Sequence, residues 1–122
     1  MSVIAVVEDN ADNRLLMEAI LGDTYELRTY ATGHHALAGF DRALPDLVLL
    51  DISLVGMDGL EVLARMRDDP RMRDLPVVAL TANAMAGDRE RFLAAGFDDY
   101  ITKPIFDEQL LLGAIERLLE RR

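Results

Sequence analysis

The sequence predicts an α/β fold in which a parallel β-sheet carries helices on both faces. Short apolar runs alternate with longer segments of helical periodicity, giving five strand–helix pairs in succession. Three of the runs, 3–7, 47–50 and 77–80, are apolar throughout, as expected of strands buried on both faces. The chain has 122 residues, so we expect residues 1–122 to form a single domain.

In the first half of the chain, the first strand leads into a helix that should end at Gly22. The expected buried face of this helix consists of Leu15, Leu16, Ala19 and Ile20. Alternating apolar and polar residues over 25–30 predict a half-buried second strand. Thr32 is the expected N-cap of the second helix, and Pro45 ends that segment before the third strand.

In the second half, a turn at 57–59 precedes the third helix. The expected buried residues of that helix are Leu60, Leu63 and Met66. The fourth helix follows the strand 77–80 and should end near Gly96, before a short strand over 100–102. For the last helix we expect Asp107 as the N-cap and Phe106 as a hydrophobic staple. Its expected apolar stripe is Leu111, Ala114, Ile115 and Leu118.

The charge balance disfavours anionic partners. With 22 acidic and 13 basic residues the formal net charge is -9, so nucleic acid and anionic membrane surfaces should repel the chain. We expect the arginines of 65–73 and 121–122 to lie on solvated helix faces. The chain has no cysteine, no apolar run of membrane-spanning length and no basic leader, which together predict a soluble cytoplasmic protein.

Side chains that carry a carboxylate, hydroxyl or ammonium group follow four of the five predicted strands. The first strand is followed by Glu8 and Asp9, the third by Asp51, the fourth by Thr81 and the fifth by Lys103, the only lysine of the chain. The carboxyl ends of parallel strands form the edge at which such sheets bind ligands. Each residue taken alone is better explained as a cap or a surface charge. Their joint placement on four strand ends favours a functional site.

Three neighbouring carboxylates repel one another unless a cation joins them. Oxygen ligands in a shallow pocket suit Mg²⁺, which often bridges to a phosphate. We therefore predict a Mg²⁺ site formed by Glu8, Asp9 and Asp51. Thr81 and Lys103 are placed to hold the oxygens of a phosphoryl group.

At this point the sequence resembles a known family, the CheY-like receiver domains of bacterial two-component response regulators. The resemblance is carried by four segments: VVEDN, VLLDISLVGMDGLEVL, PVVALTANA and DDYITKPI. It covers essentially the whole chain, and it is especially close to single-domain DivK-type receivers and to receiver domains of hybrid histidine kinases. It implies one receiver domain with a flavodoxin-like fold, five helices and the strand order 2-1-3-4-5.

The resemblance also implies roles for individual residues. Asp51 looks like the phosphoacceptor. Asp9 and Asp51 would bind Mg²⁺ directly, Glu8 through water, and the backbone carbonyl of Ser53 would be a further ligand. Lys103 looks like the lysine that pairs with the phosphoryl group.

A second set of implied roles concerns switching and the lifetime of the phosphate. Thr81 resembles the switch hydroxyl and Tyr100 the aromatic switch residue; their movement would reshape the face made by the fourth helix, fifth strand and fifth helix. Ser53 and Asn83 match the positions that flank the phosphate. The peptide bond between Lys103 and Pro104 would be cis.

By this resemblance, a histidine kinase or histidine phosphotransfer protein donates the phosphoryl group, and a downstream protein reads the result. The chain would catalyse only its own phosphorylation and dephosphorylation, as a monomer or weak homodimer, with output supplied by another protein or region. Val55 stands where the family usually has proline, so the loop after Asp51 is expected to be less rigid.

Two other functions stay open. An aspartyl phosphohydrolase of the haloacid-dehalogenase type has a second aspartate two residues after the nucleophile, where this chain has Ser53, which argues against it. A binding module that works without phosphorylation would not need the acceptor residues, all of which are present.

Overall fold

A computed structural model of the chain describes residues 1–82, 87–103 and 108–121. It contains one five-stranded sheet, and every neighbouring pair of strands is parallel. The strands are β1 (Val3–Val7), β2 (Glu26–Tyr30), β3 (Leu47–Asp51), β4 (Val77–Thr81) and β5 (Asp99–Thr102). The helices are α1 (Ala11–Leu21), α2 (Gly33–Arg42), α3 (Gly59–Asp68), α4 (Asp88–Ala95) and α5 (Glu108–Glu120). The order β2-β1-β3-β4-β5 confirms the predicted topology.

The sheet separates two hydrophobic cores because successive strand residues face opposite sides. In β1, Ala5 and Val7 belong to one core, and Ile4 and Val6 belong to the other. The first core is formed with α2, α3 and α4. The second is formed with α1 and α5 and includes the predicted stripe of α5 except for Ala114, which is also buried. Burial on both faces accounts for the apolar character of β1, β3 and β4.

The predicted buried face of α1 was mostly wrong, since of its four residues only Ile20 packs, partly buried, against the second core. Leu15 is 62% exposed and Leu16 39% exposed, whereas Met17 and Leu21 are the buried residues of the helix. Ala19 is exposed as well. Apolar residues occur on more than one side of this helix, and the side that reaches the sheet follows the four-residue spacing from Met17 to Leu21.

In α3 the prediction was partly wrong, because Leu60 is 44% exposed while Leu63 and Met66 are buried. The helix boundaries otherwise follow the expected caps. Thr32 caps α2 by accepting a hydrogen bond from the backbone N–H of His35 at 3.1 Å. Gly96 ends α4 in the left-handed conformation that favours glycine, with φ of 115°.

Asp107 and Phe106, the predicted cap and staple of α5, lie outside the described residues. Among the helices of the described ranges, none combines the length and the apolar character that a membrane span requires.

Arg67 is not on a solvated face, contrary to the expectation for the arginines of 65–73. Its side chain is only 21% exposed and crosses from α3 to the two loops that enter β4 and β5. Its guanidinium donates hydrogen bonds to the backbone carbonyls of Leu75 and Gly96, both at 2.7 Å, and to the carboxylate of Asp98 at 3.2 Å. Arg67 therefore links the amino ends of β4 and β5 to α3.

Candidate functional site

The parallel topology brings the predicted residues to one edge of the sheet. Glu8 follows β1, Asp51 and Thr81 are the last residues of β3 and β4, and Lys103 follows β5. The backbone N–H of Lys103 donates to the carbonyl of Thr81 at 2.7 Å, which fixes the start of the lysine beside the end of β4. The site is thus built from the carboxyl ends of four adjacent strands.

Three carboxylates lie together at this edge. Glu8, Asp9 and Asp51 each offer an oxygen within 4.8 Å of the others. Glu8 is fully buried and Asp51 is 2% exposed, whereas Asp9 is open to solvent. Oxygen ligands on one exposed and two buried carboxylates form a site that a divalent cation can reach from solvent.

A single ammonium group lies between the two buried carboxylates. The Nζ atom of Lys103 is 3.0 Å from Oε1 of Glu8 and 3.0 Å from Oδ2 of Asp51. The other oxygen of Asp51 accepts a hydrogen bond from the backbone N–H of Ser53 at 2.9 Å. One positive charge faces three carboxylates, so the cluster attracts further positive charge.

Burial and proximity change the proton affinities of these groups. Burial, together with the neighbouring carboxylate of Asp51, raises the pKa of Glu8 to about 7. Burial acts on Asp51 in the same direction, but Glu8, the Ser53 N–H and Lys103 together outweigh it and lower the pKa of Asp51. The two carboxylates raise the pKa of Lys103 against the opposing effect of burial. At neutral pH Asp51 is therefore ionised, and Glu8 is close to its titration point.

One buried oxygen of the cluster lacks a hydrogen-bond donor. Within the part of the chain that the structure describes, Oε2 of Glu8 has no hydrogen-bond partner. Leaving a buried acceptor unpaired costs about 1–3 kcal/mol, so such atoms usually face a bound water or ion. This orphaned oxygen and the oxygen-only donor set both fit Mg²⁺ at Glu8, Asp9 and Asp51.

The remaining predicted residues are Thr81, Tyr100, Ser53 and Asn83. Thr81 is buried at 5% exposure. Tyr100 is half-buried on β5, with its ring centroid 5.8 Å from that of Phe92 in α4. The side chain of Ser53 is exposed, so it can reach solvent at the rim of the site. Asn83 and the Lys103–Pro104 peptide bond fall partly or wholly outside the described residues.

The loop after Asp51 is exposed to solvent at Val55, the residue that the resemblance aligns with a proline. Val55 is 80% exposed, and Gly56 beside it has φ of 83°, which favours glycine. These two features describe the shape of the loop, and its expected lower rigidity stays a prediction.

Sequence reasoning missed two residues of α1 that hold Glu8. Nδ2 of Asn13 donates to Oε1 of Glu8 at 2.9 Å, and Arg14 donates to the backbone carbonyl of Glu8 at 2.8 Å. A signal for Asn13 was present, because it precedes Met17 and Leu21 at four-residue spacing on the face that meets the sheet.

Comparison with known proteins agrees with this geometry. A profile of the response regulator receiver domain matches residues 4–116. The response regulator PleD of Caulobacter vibrioides is 44% identical over 116 residues, which are 94% of this chain and 25% of PleD. The polar-differentiation response regulator DivK of Brucella ovis is 42% identical over 103 residues, covering 84% of each protein.

A solved structure is similar along its whole length. The receiver domain of the sensor histidine kinase PA1611 from Pseudomonas aeruginosa, described with a magnesium ion coordinated in its active-site cleft, has a TM-score of 0.88 and 36% identity, covering 98% of both chains. The present chain spans about a quarter of PleD but most of DivK. The profile match and the identity to DivK show that this chain belongs to the response regulator receiver domain family.

Proposed function

We propose that the chain receives a phosphoryl group from a phosphohistidine and carries it on Asp51. One observation supports this most strongly: a buried aspartate lies at a strand end between a lysine ammonium and a backbone N–H, beside two further carboxylates. A buried carboxylate with a lowered pKa is a nucleophile at neutral pH. The phosphodonor is a histidine kinase or a histidine phosphotransfer protein.

The transfer exchanges one bond for another. A carboxylate oxygen of Asp51 attacks phosphorus, a P–O bond forms, and the P–N bond to the donor histidine breaks as its imidazole nitrogen leaves. The product is an acyl phosphate. Lys103 lies 3.0 Å from Asp51 and offsets the negative charge that collects there. The contribution of the protein is mainly positioning and electrostatics.

Glu8, Asp9, Asp51 and the backbone carbonyl of Ser53 are the proposed ligands of Mg²⁺. Bound Mg²⁺ supplies positive charge that offsets the charge of the transferring phosphoryl group. Asp9 is exposed and can receive the ion from solvent, while the buried Glu8 and Asp51 define the inner wall.

Hydrolysis returns the protein to its starting state. Water attacks phosphorus, the P–O bond to Asp51 breaks, and inorganic phosphate leaves. Ser53 and Asn83 are the residues we propose to influence this step through the attacking water. The chain then acts on itself only, and it is a signalling domain rather than an enzyme with a separate substrate.

Phosphorylation changes the surface read by a downstream protein. In this proposal Thr81 moves toward the phosphate, and Tyr100, which now packs beside Phe92, fills the space that Thr81 leaves. The rearranged surface consists of α4, β5 and α5. The change is a shift between two populated states. We propose that the protein works in the cytoplasm as a single receiver domain, as a monomer or weak homodimer.

Mass spectrometry tests the proposal directly. Wild type, Asp51→Asn and the control Asp12→Asn, an exposed aspartate of α1, are incubated with acetyl phosphate in MgCl₂ or in EDTA. We expect wild type and Asp12→Asn to gain one phosphoryl group in MgCl₂ only, and Asp51→Asn to gain none. An adduct on Asp51→Asn equal to that of wild type would contradict the assignment of Asp51.

A further inference from the structure

The carboxylate of Glu8 is oriented by two donors that share one of its oxygens. Oε1 accepts a hydrogen bond from Nδ2 of Asn13 at 2.9 Å and from Nζ of Lys103 at 3.0 Å. An ionised carboxylate oxygen accepts about two hydrogen bonds, so Oε1 is fully engaged. Oε2, buried and unpartnered among the described residues, is the oxygen left for a cation or its bound water.

Helix α1 fixes Asn13 in this position. Its side chain is on the sheet-facing side of the first turn, ahead of Met17 and Leu21. The backbone N–H of Asn13 donates to Oδ1 of Asn10, the N-cap of the helix, at 3.1 Å. The contact to Glu8 thus arises from a capped and packed helix.

The backbone of Glu8 is held on both sides. Its N–H donates to the carbonyl of Tyr30 at 2.9 Å, and its carbonyl accepts from Arg14 at 2.8 Å. With the backbone fixed, the remaining freedom of Glu8 is rotation of its side chain. Asn13 and Lys103 are the two groups that restrict this rotation.

We propose that Asn13 is a positioning residue for Mg²⁺: its amide holds Oε1 of Glu8 so that Oε2 faces the cation site. This inference rests on the proposed function, since it assumes that Mg²⁺ binds beside Glu8. Lys103 is also the proposed partner of the phosphoryl group, so when it turns toward phosphate, Asn13 is the donor that keeps Glu8 in place.

The chemistry of the side chain matters here. The neutral amide of Asn13 donates to Glu8 without adding charge, so it orients the carboxylate and leaves the negative potential of the site intact. Leucine has nearly the same volume but no donor, and serine is too short to reach. Removing a group that orients a metal-binding residue typically weakens metal affinity 10–100-fold. Because Glu8 keeps Lys103 as a second donor, we expect about a 10-fold loss.

The test measures Mg²⁺ affinity by titration calorimetry with MgCl₂ at about 0.15 M salt, where distant charges are screened. The variants are Asn13→Leu, Asn13→Ser and the control Glu18→Leu, at an exposed position of the same helix. Serine is tolerated in a first helical turn, so it keeps the test usable if leucine prevents folding. Thermal unfolding midpoints are recorded in EDTA and in MgCl₂.

We expect the Kd for Mg²⁺ to rise about 10-fold in both Asn13 variants and to stay unchanged in Glu18→Leu. The increase in midpoint caused by MgCl₂ should shrink in the Asn13 variants. If Asn13 has a purely structural role, its variants will have a lower midpoint in EDTA, but MgCl₂ will raise the midpoint as much as in wild type and the Kd will not change. That result would overturn the proposal. If wild type itself binds no Mg²⁺, the metal site of the proposed function fails instead.

Discussion

The two ends of the sheet hold charged clusters of opposite character. At the amino ends of β4 and β5, Arg67 donates to several backbone carbonyls and to Asp98. Asp98 in turn accepts from the backbone N–H of Val77 at 2.8 Å. At the carboxyl ends, Lys103 contacts Glu8 and Asp51 beside Asp9, and one buried oxygen of Glu8 lacks a donor in the described structure.

The difference separates a cluster that stabilises the fold from one that binds a ligand. Around Arg67 each donor meets an acceptor, so the network joins three segments. Around Asp51 negative charge is in excess and hydrogen bonding is incomplete, which costs stability unless a cation or a proton is present. A site that must bind Mg²⁺ and phosphate cannot be fully satisfied by its own side chains.

The largest expected effect is on stability at the amino ends. Arg67→Met removes the donors of Leu75 and Gly96 and leaves Asp98 without its ion-pair partner. We expect the free energy of unfolding to fall by about 3 kcal/mol, as measured by urea denaturation. Mg²⁺ affinity should stay unchanged, because the residue is at the opposite end of the sheet. A loss below about 0.5 kcal/mol would contradict the role assigned to this network.

The second-largest expected effect is the stabilisation of the folded protein by Mg²⁺ bound at the carboxyl-end cluster. At a free Mg²⁺ concentration ten times the Kd, the free energy of unfolding should increase by about 1.4 kcal/mol. The same concentration should stabilise less at pH 6 than at pH 8, since the proton of Glu8 competes with the cation. Denaturation curves at the two pH values measure this, and an equal increase at both would show that Glu8 is not involved.

Without Mg²⁺, stability should depend on pH through Glu8. The folded state keeps the proton of Glu8 up to about pH 7, whereas an unfolded glutamate has its ordinary pKa of 4.5. The stability that this proton contributes is fully present below pH 4.5, the unfolded pKa. It is lost as the pH rises through the folded pKa of about 7. We expect the free energy of unfolding to drop by about 1 kcal/mol between pH 6 and pH 8 in EDTA.

Glu8→Gln is the control for this dependence. Glutamine does not titrate, so the curve between pH 6 and pH 8 should become flat. If the variant keeps the slope of wild type, another group is responsible.

The smallest expected effect is that of replacing Arg71, an arginine that differs from Arg67 in its exposure. Arg71 also makes several hydrogen bonds, including one of 2.6 Å to Asp41, but its side chain is 50% exposed. Exposed ion pairs contribute little because water and salt screen them, so Arg71→Met should lower the free energy of unfolding much less than Arg67→Met in the same urea experiment. An effect equal to that of Arg67→Met would mean that burial is not what distinguishes the two arginines.

The sheet and the charged edge could be predicted from sequence because both follow from topology. Neighbouring parallel strands have their carboxyl ends at one edge of the sheet, so the residues at the carboxyl ends of β1, β3, β4 and β5 had to meet, whatever the loop details. The proximity of Lys103 to Asp51, 52 positions away, is a consequence of that rule.

The contacts made by Arg67 and Asn13 could not be predicted as readily. Apart from Asp98, the acceptors of Arg67 are backbone carbonyls in loops as far as 29 positions away, and a backbone carbonyl leaves no sequence pattern. Asn13 was missed because Leu15 and Leu16 suggested another buried face for α1. Packing of Met17 and Leu21 against the sheet decided the orientation of the helix instead.

The most direct test of the account identifies the phosphorylated residue. Wild-type protein is phosphorylated with acetyl phosphate and MgCl₂, treated with borohydride and digested with trypsin. Borohydride reduces an acyl phosphate of aspartate to homoserine. We predict this conversion at Asp51 and not at Asp46 or Asp58, which lie in the same tryptic peptide. Homoserine at either of those positions, with Asp51 unmodified, would contradict the claim that the carboxyl-end cluster is the phosphoacceptor site.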